Sequence, residues 1–573
     1  MVVERINAAV ARLYPDATEG LDSVARPSDR ADAQINVALG LANKVGKNPR
    51  DVAQQIIEQL DVRGICAKVE VAGPGFLNLT FADAYLTASL GEVSGDASLG
   101  VRQASLPQRV VIDYSAPNVA KEMHVGHLRS TVIGDALVRM CERVGHRVDR
   151  ENHIGDWGTP FGMLIEHLVD LGEVGTARKL SVGDLDGFYK QAREKFDGSE
   201  EFQQRARARV VALQGGDAET LRLWGLLVAE SARYFATVYE KLGVKLTNDD
   251  LRGESAYNPL LAEVVTRLKA KSLLTVDDGA EVVFVDGFTN RDNEPLPLII
   301  RKKDGGYNYA TSDLACVIDR VERIGATLML YVVGAPQAQH LSMIEAVATK
   351  VGWLAPPAQM VHVAFGSVLG SDRKMLKTRS GHAVKLIELL EEAVERAEAS
   401  IAEKNPELPA DQRRKVARMI GIGAVKYADL ANDRIKDYVF DWERMLSFDG
   451  NTAPYLQYAH ARICSIFRRA GVSRESARSA KISLSHANER SLALRLLNYD
   501  SAVWDALERY SPHRLCTYLY ELATRYTAFY EHCPVLKAED DATRDSRLAL
   551  CDLTARVLAD GLQMMGIESP EQM

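Results

Sequence analysis

Several features that would assign a chain to a class at once are missing from these 573 residues. No run of about 18 consecutive apolar residues occurs, so we do not expect a membrane-spanning helix. Residues 1–7 lack the basic stretch and apolar core that begin a secretion signal. Internal repeats and low-complexity tracts are also missing. With 46% hydrophobic and 26% charged residues, the chain has the composition of a folded protein of several domains.

Closely spaced cysteine pairs are missing as well. The seven cysteines stand at long, irregular intervals, and no two form a CxxC pair. They are Cys66, Cys141, Cys316, Cys464, Cys516, Cys533 and Cys551. This spacing argues against a zinc knuckle and a redox dithiol, and it predicts reduced thiols in a cytoplasmic protein without a structural metal.

An excess of basic charge is the third absence. The net charge is −8 and the isoelectric point is about 5.9. These values exclude a protein that coats nucleic acid through its overall charge, but they leave room for a localised basic groove.

Hydrophobic patterning divides the chain into three segments. Residues 1–104 are predicted to form a small α/β domain, with a hairpin over 69–81 around a Gly-Pro-Gly turn. Residues 105–408 are predicted to form a doubly wound α/β domain, interrupted at about 170–245 by a charged helical insertion. Residues 409–573 are predicted to be all-helical.

Short apolar runs predict the strands of the central domain. Residues 109–114 form a nearly continuous apolar run, which is typical of a strand buried on both faces of a parallel sheet. Three later runs, at 280–285, 298–301 and 328–333, predict further strands of the same sheet with helices between them.

A histidine pair stands where ligands bind in such a sheet. His124-Val125-Gly126-His127 lies between the first buried strand and the helix after it, and helix N-termini at this edge favour phosphate. Both imidazoles can donate hydrogen bonds to phosphate oxygens, and Gly126 leaves room for a flat base or ribose to approach the backbone. Taken alone, the string is equally consistent with helix-capping histidines.

A cationic segment follows some 250 residues later. Residues 373–379 carry four cations in seven positions, and glycines on both sides suit a mobile loop. Opposite a phosphate-binding helix start, such a loop could stabilise a pyrophosphate leaving group, and Lys121 adds a cation beside the histidines. Taken alone, the segment is better explained as a solvated surface loop.

Together these two segments resemble the HIGH and KMSKS signatures of class I aminoacyl-tRNA synthetases. His124, Gly126 and His127 match HIGH at three of four positions, and residues 374–378 match KMSKS with Leu and Thr in place of the two serines. The similarity narrows to the arginyl-tRNA synthetases and extends along most of the chain. It is carried by residues 75–78, 115–131, 152–158, 309–314, 334–340, 453–462 and 565–573.

This resemblance implies a Rossmann-like catalytic domain between an α/β N-terminal domain and a C-terminal helical bundle. The implied activity is that of an arginine–tRNA ligase, which activates L-arginine with ATP and Mg²⁺ to arginyl-adenylate. The arginyl group then passes to the 2′-hydroxyl of the terminal adenosine of tRNA(Arg), and AMP and pyrophosphate are released. A cytoplasmic monomer without membrane partners is also implied, and tRNA is expected to be needed for the first step.

The resemblance further implies which residues act on the nucleotide. The catalytic group would be His124, His127, Lys121 and Lys377. The ATP-binding group would be His124, Gly126, His127, Lys374, Met375 and Lys377. Family members with a degraded KMSKS are thought to use a lysine just upstream of HIGH instead, so the choice between Lys121 and Lys377 as carrier of the phosphate charge stays open.

Recognition of arginine requires a carboxylate, because a guanidinium stays charged and presents a planar fork of donors. Tyr309 and Asp313 are four residues apart and share a face if that stretch is helical. By resemblance, Asp313 takes the guanidinium, Tyr309 closes over it and Gln337 sets the α-amino end. Ser115, Asn118 and Asn152 are the remaining arginine-site residues that the resemblance implies. Without it, Asp313 fits a surface acid or internal ion pair, and Tyr309 a core aromatic.

Contacts with tRNA are also implied by resemblance. The N-terminal domain would touch the tRNA elbow through Phe76 and Asn78, and the helical domain would bind the anticodon through Tyr455, Tyr458 and Arg462, which offer stacking rings and a cation. A further aromatic stripe is predicted to lie mostly in the core. It consists of Tyr518, Tyr520, Tyr526, Phe529 and Tyr530.

Two other functions stay open at this stage. HIGH-type motifs also occur in other class I synthetases and in small nucleotidyltransferases, but the Tyr309–Asp313 pair and the helical C-terminal third argue against these. A catalytically silent tRNA-binding scaffold is the second alternative, and the intact His124, His127 and Lys377 argue against it.

Overall fold

The computed structural model describes residues 2–21, 23–26, 28, 30–172, 185–290, 292–377 and 383–573. Contacts divide the chain into two compact units. The first contains Met1–Val101, Ile463–Ser501 and Glu521–Leu558, and the second contains Arg102–Arg462, Ala502–Tyr520 and Ala559–Met573.

Thirteen strands occur in the described ranges. They are β1 (Ala25–Arg26), β2 (Ala33–Ile35), β3 (Cys66–Ala72), β4 (Phe76–Phe81), β5 (Arg109–Asp113), β6 (Arg147–Glu151), β7 (Thr275–Asp277), β8 (Ala280–Thr289), β9 (Pro295–Arg301), β10 (Leu328–Tyr331), β11 (Gln359–His362), β12 (Val368–Leu369) and β13 (Tyr438–Val439).

Helices make up most of the remainder. Up to the end of the sheet-containing region they are α1 (Val2–Leu13), α2 (Val37–Val45), α3 (Pro49–Glu58), α4 (Asp83–Gly95), α5 (Val125–Arg143), α6 (Pro160–Leu171), α7 (Leu185–Gly198), α8 (Glu200–Gln214), α9 (Ala218–Leu242), α10 (Asn258–Ala270), α11 (Tyr309–Ile318) and α12 (Ala338–Val351). Those that follow are α13 (Leu386–Lys404), α14 (Ala410–Leu430), α15 (Trp442–Met445), α16 (Ala453–Ala470), α17 (Arg474–Arg478), α18 (Ala487–Leu497), α19 (Tyr499–Glu508), α20 (Pro512–His532) and α21 (Asp541–Met564).

The first unit contains an antiparallel sheet in the order β1–β2–β4–β3. Its β3–β4 hairpin is the predicted one, and Gly75 makes the turn with a φ of 141°. A Cβ at Gly75 would lie 2.8 Å from the carbonyl oxygen of Pro49, so the turn needs glycine for space as well as for conformation. Apolar side chains of α1, α2 and α3 pack on this sheet, among them Ile6 and Val52.

The second unit contains a parallel sheet in the order β11–β10–β5–β6. Val110, Val111 and Ile112 of β5 are at most 1% exposed, as expected of a strand covered on both faces. The predicted doubly wound parallel domain and the strand predicted at 328–333 are confirmed.

Two of the predicted strands belong elsewhere. The runs at 280–285 and 298–301 do form strands, β8 and β9, but these lie in a separate three-stranded antiparallel sheet, in which β8 pairs with both β7 and β9. Their assignment to the parallel sheet, with helices between them, was wrong. Local periodicity identifies a strand but carries no information about its partner, and a separation of only five residues between Thr289 and Pro295 is too short for a parallel crossover.

The segment predicted as a helical insertion is helical over α7, α8 and α9, while its residues 173–184 lie outside the described ranges. The C-terminal segment is helical as predicted, with one correction. The two-residue strand β13 pairs in parallel with β12, although strands were expected to end near residue 410. None of the helices in the described ranges combines the length and apolar character needed to cross a membrane.

Candidate active site

The loop that leaves β5 is held in an unfavourable backbone conformation. Ser115, Ala116 and Ala120 have φ values of 76°, 49° and 59°, in the left-handed region where non-glycine residues typically cost about 1–3 kcal/mol. Hydrogen bonds hold this conformation. The backbone N–H groups of Ser115 and Ala116 donate to Ser130 Oγ at 2.9 Å and to Asn152 Oδ1 at 3.0 Å.

Helix α9 of the insertion braces the same loop. Ser231 Oγ accepts from the Ala120 N–H at 2.9 Å, and the Tyr234 hydroxyl accepts from the Met123 N–H at 3.2 Å. Tyr239 lies further along this helix, and burial raises the pKa of its hydroxyl. These roles were not predicted from the sequence. The available signal was the polar side chains at 231, 234 and 239, which fall on one helix face.

Two predicted arginine-site residues are part of this bracing. Asn152 is fully buried, and its Nδ2 donates to the Tyr239 hydroxyl at 2.8 Å while its Oδ1 accepts from the loop. Ser115 is 4% exposed, and its Oγ lies 2.8 Å from the same hydroxyl. Asn118 is exposed instead, and its Oδ1 lies so close to Gly155 that a Cβ there would approach it to 2.2 Å. In this structure, Ser115 and Asn152 hold the loop.

The histidine pair caps helix α5. Nδ1 of His124 accepts from the Gly126 N–H at 3.0 Å, and Nδ1 of His127 accepts from the His124 N–H at 3.1 Å. The ring centroids are 4.2 Å apart. Because both Nδ1 atoms accept, the proton of each neutral ring sits on Nε2, which leaves an N–H donor pointing away from the helix backbone.

Burial keeps these rings uncharged at neutral pH. It lowers the pKa of His127 to about 4, with the neighbouring His124 adding to the effect, and it also lowers the pKa of His124. The pair therefore offers neutral hydrogen-bond donors rather than cations.

Gly126 has a structural role in addition to the one that the sequence suggests. A Cβ there would lie 2.6 Å from Cε1 and 2.8 Å from Nδ1 of the His124 ring. The glycine therefore makes room for the capping histidine itself.

The cationic segment meets the first histidine of the pair, His124, around one cavity of about 300 Å³, and His127 is not part of its wall. Met375 and Lys377 form part of its wall together with His124 and Gly126. The backbone supports this arrangement, because the Val125 N–H donates to the Val384 carbonyl at 3.0 Å. Lys374 is exposed, and the predictions for residues 378–381 lie outside the described ranges.

The two candidate phosphate-binding lysines have different surroundings. Lys377 is exposed and lines the cavity. Lys121 places its Nζ 4.4 Å from the centre of the Tyr189 ring on α7, a cation–π contact.

Asp313 lies on α11 four residues after Tyr309, as the helical prediction requires. His340 Nε2 lies 2.5 Å from Asp313 Oδ2, and this contact raises the pKa of His340. Tyr309 is 74% exposed, and Gln337 is exposed in the 3₁₀ turn Ala335–Gln337. No role of His340 was predicted from the sequence, since its contact with Asp313 spans 27 residues.

Further acidic groups stand near this position. Burial raises the pKa of Glu254 to about 7, and the nearby Asp156 and Asp313 carboxylates also raise it. Arg320 is fully buried and bonds Asp113 and Glu151 at the carboxyl ends of β5 and β6, at 2.7 and 2.6 Å. None of these contacts could be read from local sequence.

The predicted tRNA-contact residues differ in accessibility. Asn78 is buried in β4, where its Oδ1 accepts from Gln34 Nε2 at 2.9 Å, and Phe76 is half-buried. On α16, Tyr458 is 46% exposed, whereas Tyr455 and Arg462 are half-buried. In the aromatic stripe, the core prediction is confirmed for the buried members. They are Tyr518, Tyr526 and Phe529.

Three family models match consecutive parts of the chain. The description "tRNA synthetases class I (R), catalytic domain" covers residues 93–442, "DALR anticodon binding domain" covers 456–573, and "Arginyl tRNA synthetase N terminal domain" covers 2–81. The fold and the paired motifs are thus those of a class I aminoacyl-tRNA synthetase.

Similar proteins narrow the assignment. An arginine–tRNA ligase of Thermobifida fusca is 52% identical over 573 residues, covering 100% of this chain and 99% of the relative, and one of Laribacter hongkongensis is 48% identical over 99% and 98%. Among solved structures, the Plasmodium falciparum arginyl-tRNA synthetase superposes with a TM-score of 0.86 at 28% identity, covering 100% and 98% of the two chains. The Thermus thermophilus enzyme gives 0.82 at 26% identity, covering 100% and 99%. The chain belongs to the arginyl-tRNA synthetase family.

Proposed function

We propose that this chain joins L-arginine to tRNA(Arg) in two ATP-dependent steps. The arginine carboxylate attacks the α-phosphate of ATP and expels pyrophosphate, and the 2′-hydroxyl of the terminal adenosine of the tRNA then attacks the acyl carbon of the adenylate. The observation that carries this proposal is the single cavity whose wall contains both His124 and Lys377. Full-length similarity to arginine–tRNA ligases supports the choice of amino acid.

Catalysis in this site is positioning and charge stabilisation. The Nε2–H groups of His124 and His127 donate to the phosphate oxygens as negative charge moves onto the leaving pyrophosphate. Lys377 supplies the positive charge from the opposite wall, and its place on the cavity favours it over Lys121. Gly126, Lys374 and Met375 complete the proposed ATP site. Mg²⁺ would accompany the phosphates rather than sit in a cage of protein ligands.

Arginine recognition is assigned to Asp313, whose carboxylate accepts the guanidinium fork. Tyr309 and Gln337, both exposed, are free to close over the side chain and bind the α-amino end. Asn118 contacts the amino acid, while Ser115 and Asn152 act by holding the strained loop. Free lysine as a competing substrate carries the same charge but lacks the planar fork of donors, so it leaves hydrogen-bond acceptors of the site unpaired.

For tRNA, we propose an elbow contact through Phe76 and Asn78 and an anticodon contact through Tyr455, Tyr458 and Arg462. The exposed Tyr458 ring supports the latter most directly, whereas the buried Asn78 amide must act through the strand it belongs to. The three functional segments are 1–104, 105–408 and 409–573. We propose that the enzyme works as a monomer in the cytoplasm, where its seven free cysteines stay reduced.

ATP–pyrophosphate exchange with each amino acid, with and without tRNA, tests this function. We expect exchange with arginine alone, and only when tRNA is present. Asp313→Asn should raise the KM for arginine at least about tenfold, because a charge-assisted pair worth over 1.4 kcal/mol is lost. The exposed Asp411→Asn, on helix α14, serves as a matched control and should leave that KM unchanged.

Exchange with a different amino acid would overturn the assignment of Asp313. No exchange under any condition, from protein that still binds tRNA, would indicate a silent scaffold instead.

A further inference from the structure

Three metal-ligating side chains converge at the proposed guanidinium site. His153, Asp313 and Cys316 each place one ligating atom within 4.8 Å of the other two. Asp313 and Cys316 are three residues apart on α11 and so share a face, and His153 follows the end of β6. Within the described ranges, this is the one group of three such residues. Sequence spacing could not reveal it, because 160 residues separate His153 from Asp313.

The distances suit a small tetrahedral ion. His153 Nδ1 lies 4.0 Å from Cys316 Sγ. Zinc–nitrogen and zinc–sulfur bonds of about 2.1 and 2.3 Å at a tetrahedral angle place these two atoms about 3.6 Å apart, so only a small contraction is needed.

The donors favour one class of ion. A sulfur, an imidazole nitrogen and a carboxylate oxygen form a set typical of zinc, whereas Mg²⁺ and Ca²⁺ prefer oxygen ligands alone. Three protein ligands also leave a fourth position for water.

The surroundings hold the set in place. Cys316 is 2% exposed, which protects its sulfur, while Asp313 and its partner His340 keep 26% and 31% of their side chains exposed and leave a way in. His340 fixes the Asp313 carboxylate through the 2.5 Å contact, as outer-shell partners of metal ligands do. Tyr257 packs against His153, with ring centres 5.5 Å apart.

We propose that Zn²⁺ binds to His153, Asp313 and Cys316 and thereby inhibits the enzyme in competition with arginine. On binding, the Cys316 thiol releases its proton to solvent as its sulfur bonds to the metal, and no oxidation or reduction occurs. The competition rests on the proposed function, in which the same Asp313 carboxylate receives the guanidinium. A thiophilic divalent cation is thus a regulator of the amino-acid site.

Cobalt binding to the full chain tests the site without an activity assay. Co²⁺ in place of Zn²⁺ should give a thiolate-to-cobalt charge-transfer band in the near ultraviolet, which Zn²⁺ and excess arginine each remove. Cys316→Ser should lose the band, and Cys533→Ser, at another buried cysteine outside the site, should keep it. A band that persists in Cys316→Ser, or that arginine leaves unchanged, overturns the proposal.

Inhibition kinetics test the competition. In metal-buffered exchange assays, Zn²⁺ should raise the KM for arginine and leave kcat and the KM for ATP unchanged. Cys316→Ser should need at least about tenfold more Zn²⁺ for the same fractional inhibition, measured against its own metal-free rate. Inhibition that arginine does not relieve overturns the proposal. Failure of the proposed function would show separately, as absence of arginine-dependent exchange before any metal is added.

Discussion

At the scale of single residues, the site depends on the protonation state of the histidine pair that caps α5. Each ring uses Nδ1 to cap α5 and keeps Nε2–H for the ligand. A protonated ring could not accept the backbone hydrogen bond, so the capping geometry itself favours the neutral form. The same bonds therefore orient the rings and set their tautomer.

His127 is expected to make stability depend on acid. Its folded-state pKa of about 4 lies below the unfolded value of about 6.5, so the unfolded chain binds the proton first as the pH falls. Above pH 6.5 the protonation of this residue has no effect on the free energy of unfolding. As the pH falls from 6.5 to 4, it lowers that free energy by up to about 3 kcal/mol. Denaturant titrations should show that this loss is absent from His127→Asn.

The matched control is the exposed His532→Asn, which should keep the wild-type acid sensitivity. A stability difference between wild type and His127→Asn that is the same at pH 7 and pH 4.5 would contradict this account.

Sequence predicted the elements around the site better than the contacts between them. The strand β5, the helix that carries Tyr309 and Asp313, and the two motifs were all identified, because period and local chemistry define them. The Asp313–His340 contact and the bracing by Tyr239 were not, because they join segments that are distant in sequence. The sheet predicted for β8 and β9 was wrong for the same reason, because strand propensity does not determine which strands pair.

At the scale of elements, one buried ion pair connects α5 to α14. Arg129 is 1% exposed and bonds the buried Asp429 at 3.2 Å, and it donates to the Lys436 carbonyl at 2.9 Å. Its guanidinium also lies over the rings of Phe365 and Tyr438, at 5.9 and 5.3 Å. Arg129 and Phe365 line the cavity that also contains His124 and Lys377, so this pair supports its wall.

Removing one charge of this pair should lower the free energy of unfolding far more than removing both charges. Asp429→Leu alone leaves a buried unpaired guanidinium and should destabilise the fold by about 3–5 kcal/mol, whereas Arg129→Met combined with Asp429→Leu should recover most of this. Exchange activity should stay low in the double variant, because the contacts with Lys436 and the two rings are gone. Thermal unfolding and the KM for ATP separate the two effects.

The half-exposed pair Arg109–Asp149 offers the comparison. In that pair, Asp149→Leu should lower the free energy of unfolding by no more than about 1 kcal/mol. If the Arg129–Asp429 double variant regains both stability and full exchange activity, the pair supports only the fold.

At the scale of the whole molecule, the parallel sheet is assembled from strands far apart in the chain. The central strand β5 pairs with β6 soon after it and with β10 only much later, and the Arg109 N–H bonds Thr327 Oγ1 across 218 residues. The cavity lined by His124 and Lys377 is also built from distant parts of the chain, because His124 follows β5 and Lys377 follows β11.

This connectivity has a consequence for synthesis on the ribosome. At about 5–20 residues per second, β5 waits about 10–40 s for β10, and during that time one apolar strand edge has no partner. Nascent chains stalled near residue 320 are expected to bind a hydrophobic-surface dye and to be cleaved readily by protease. Chains stalled some 40 residues beyond β11 are expected to bind little dye and to resist the protease. Equal behaviour of the two would show that the edge is covered earlier. The order of strands in space thus fixes how long the growing protein depends on protection by chaperones.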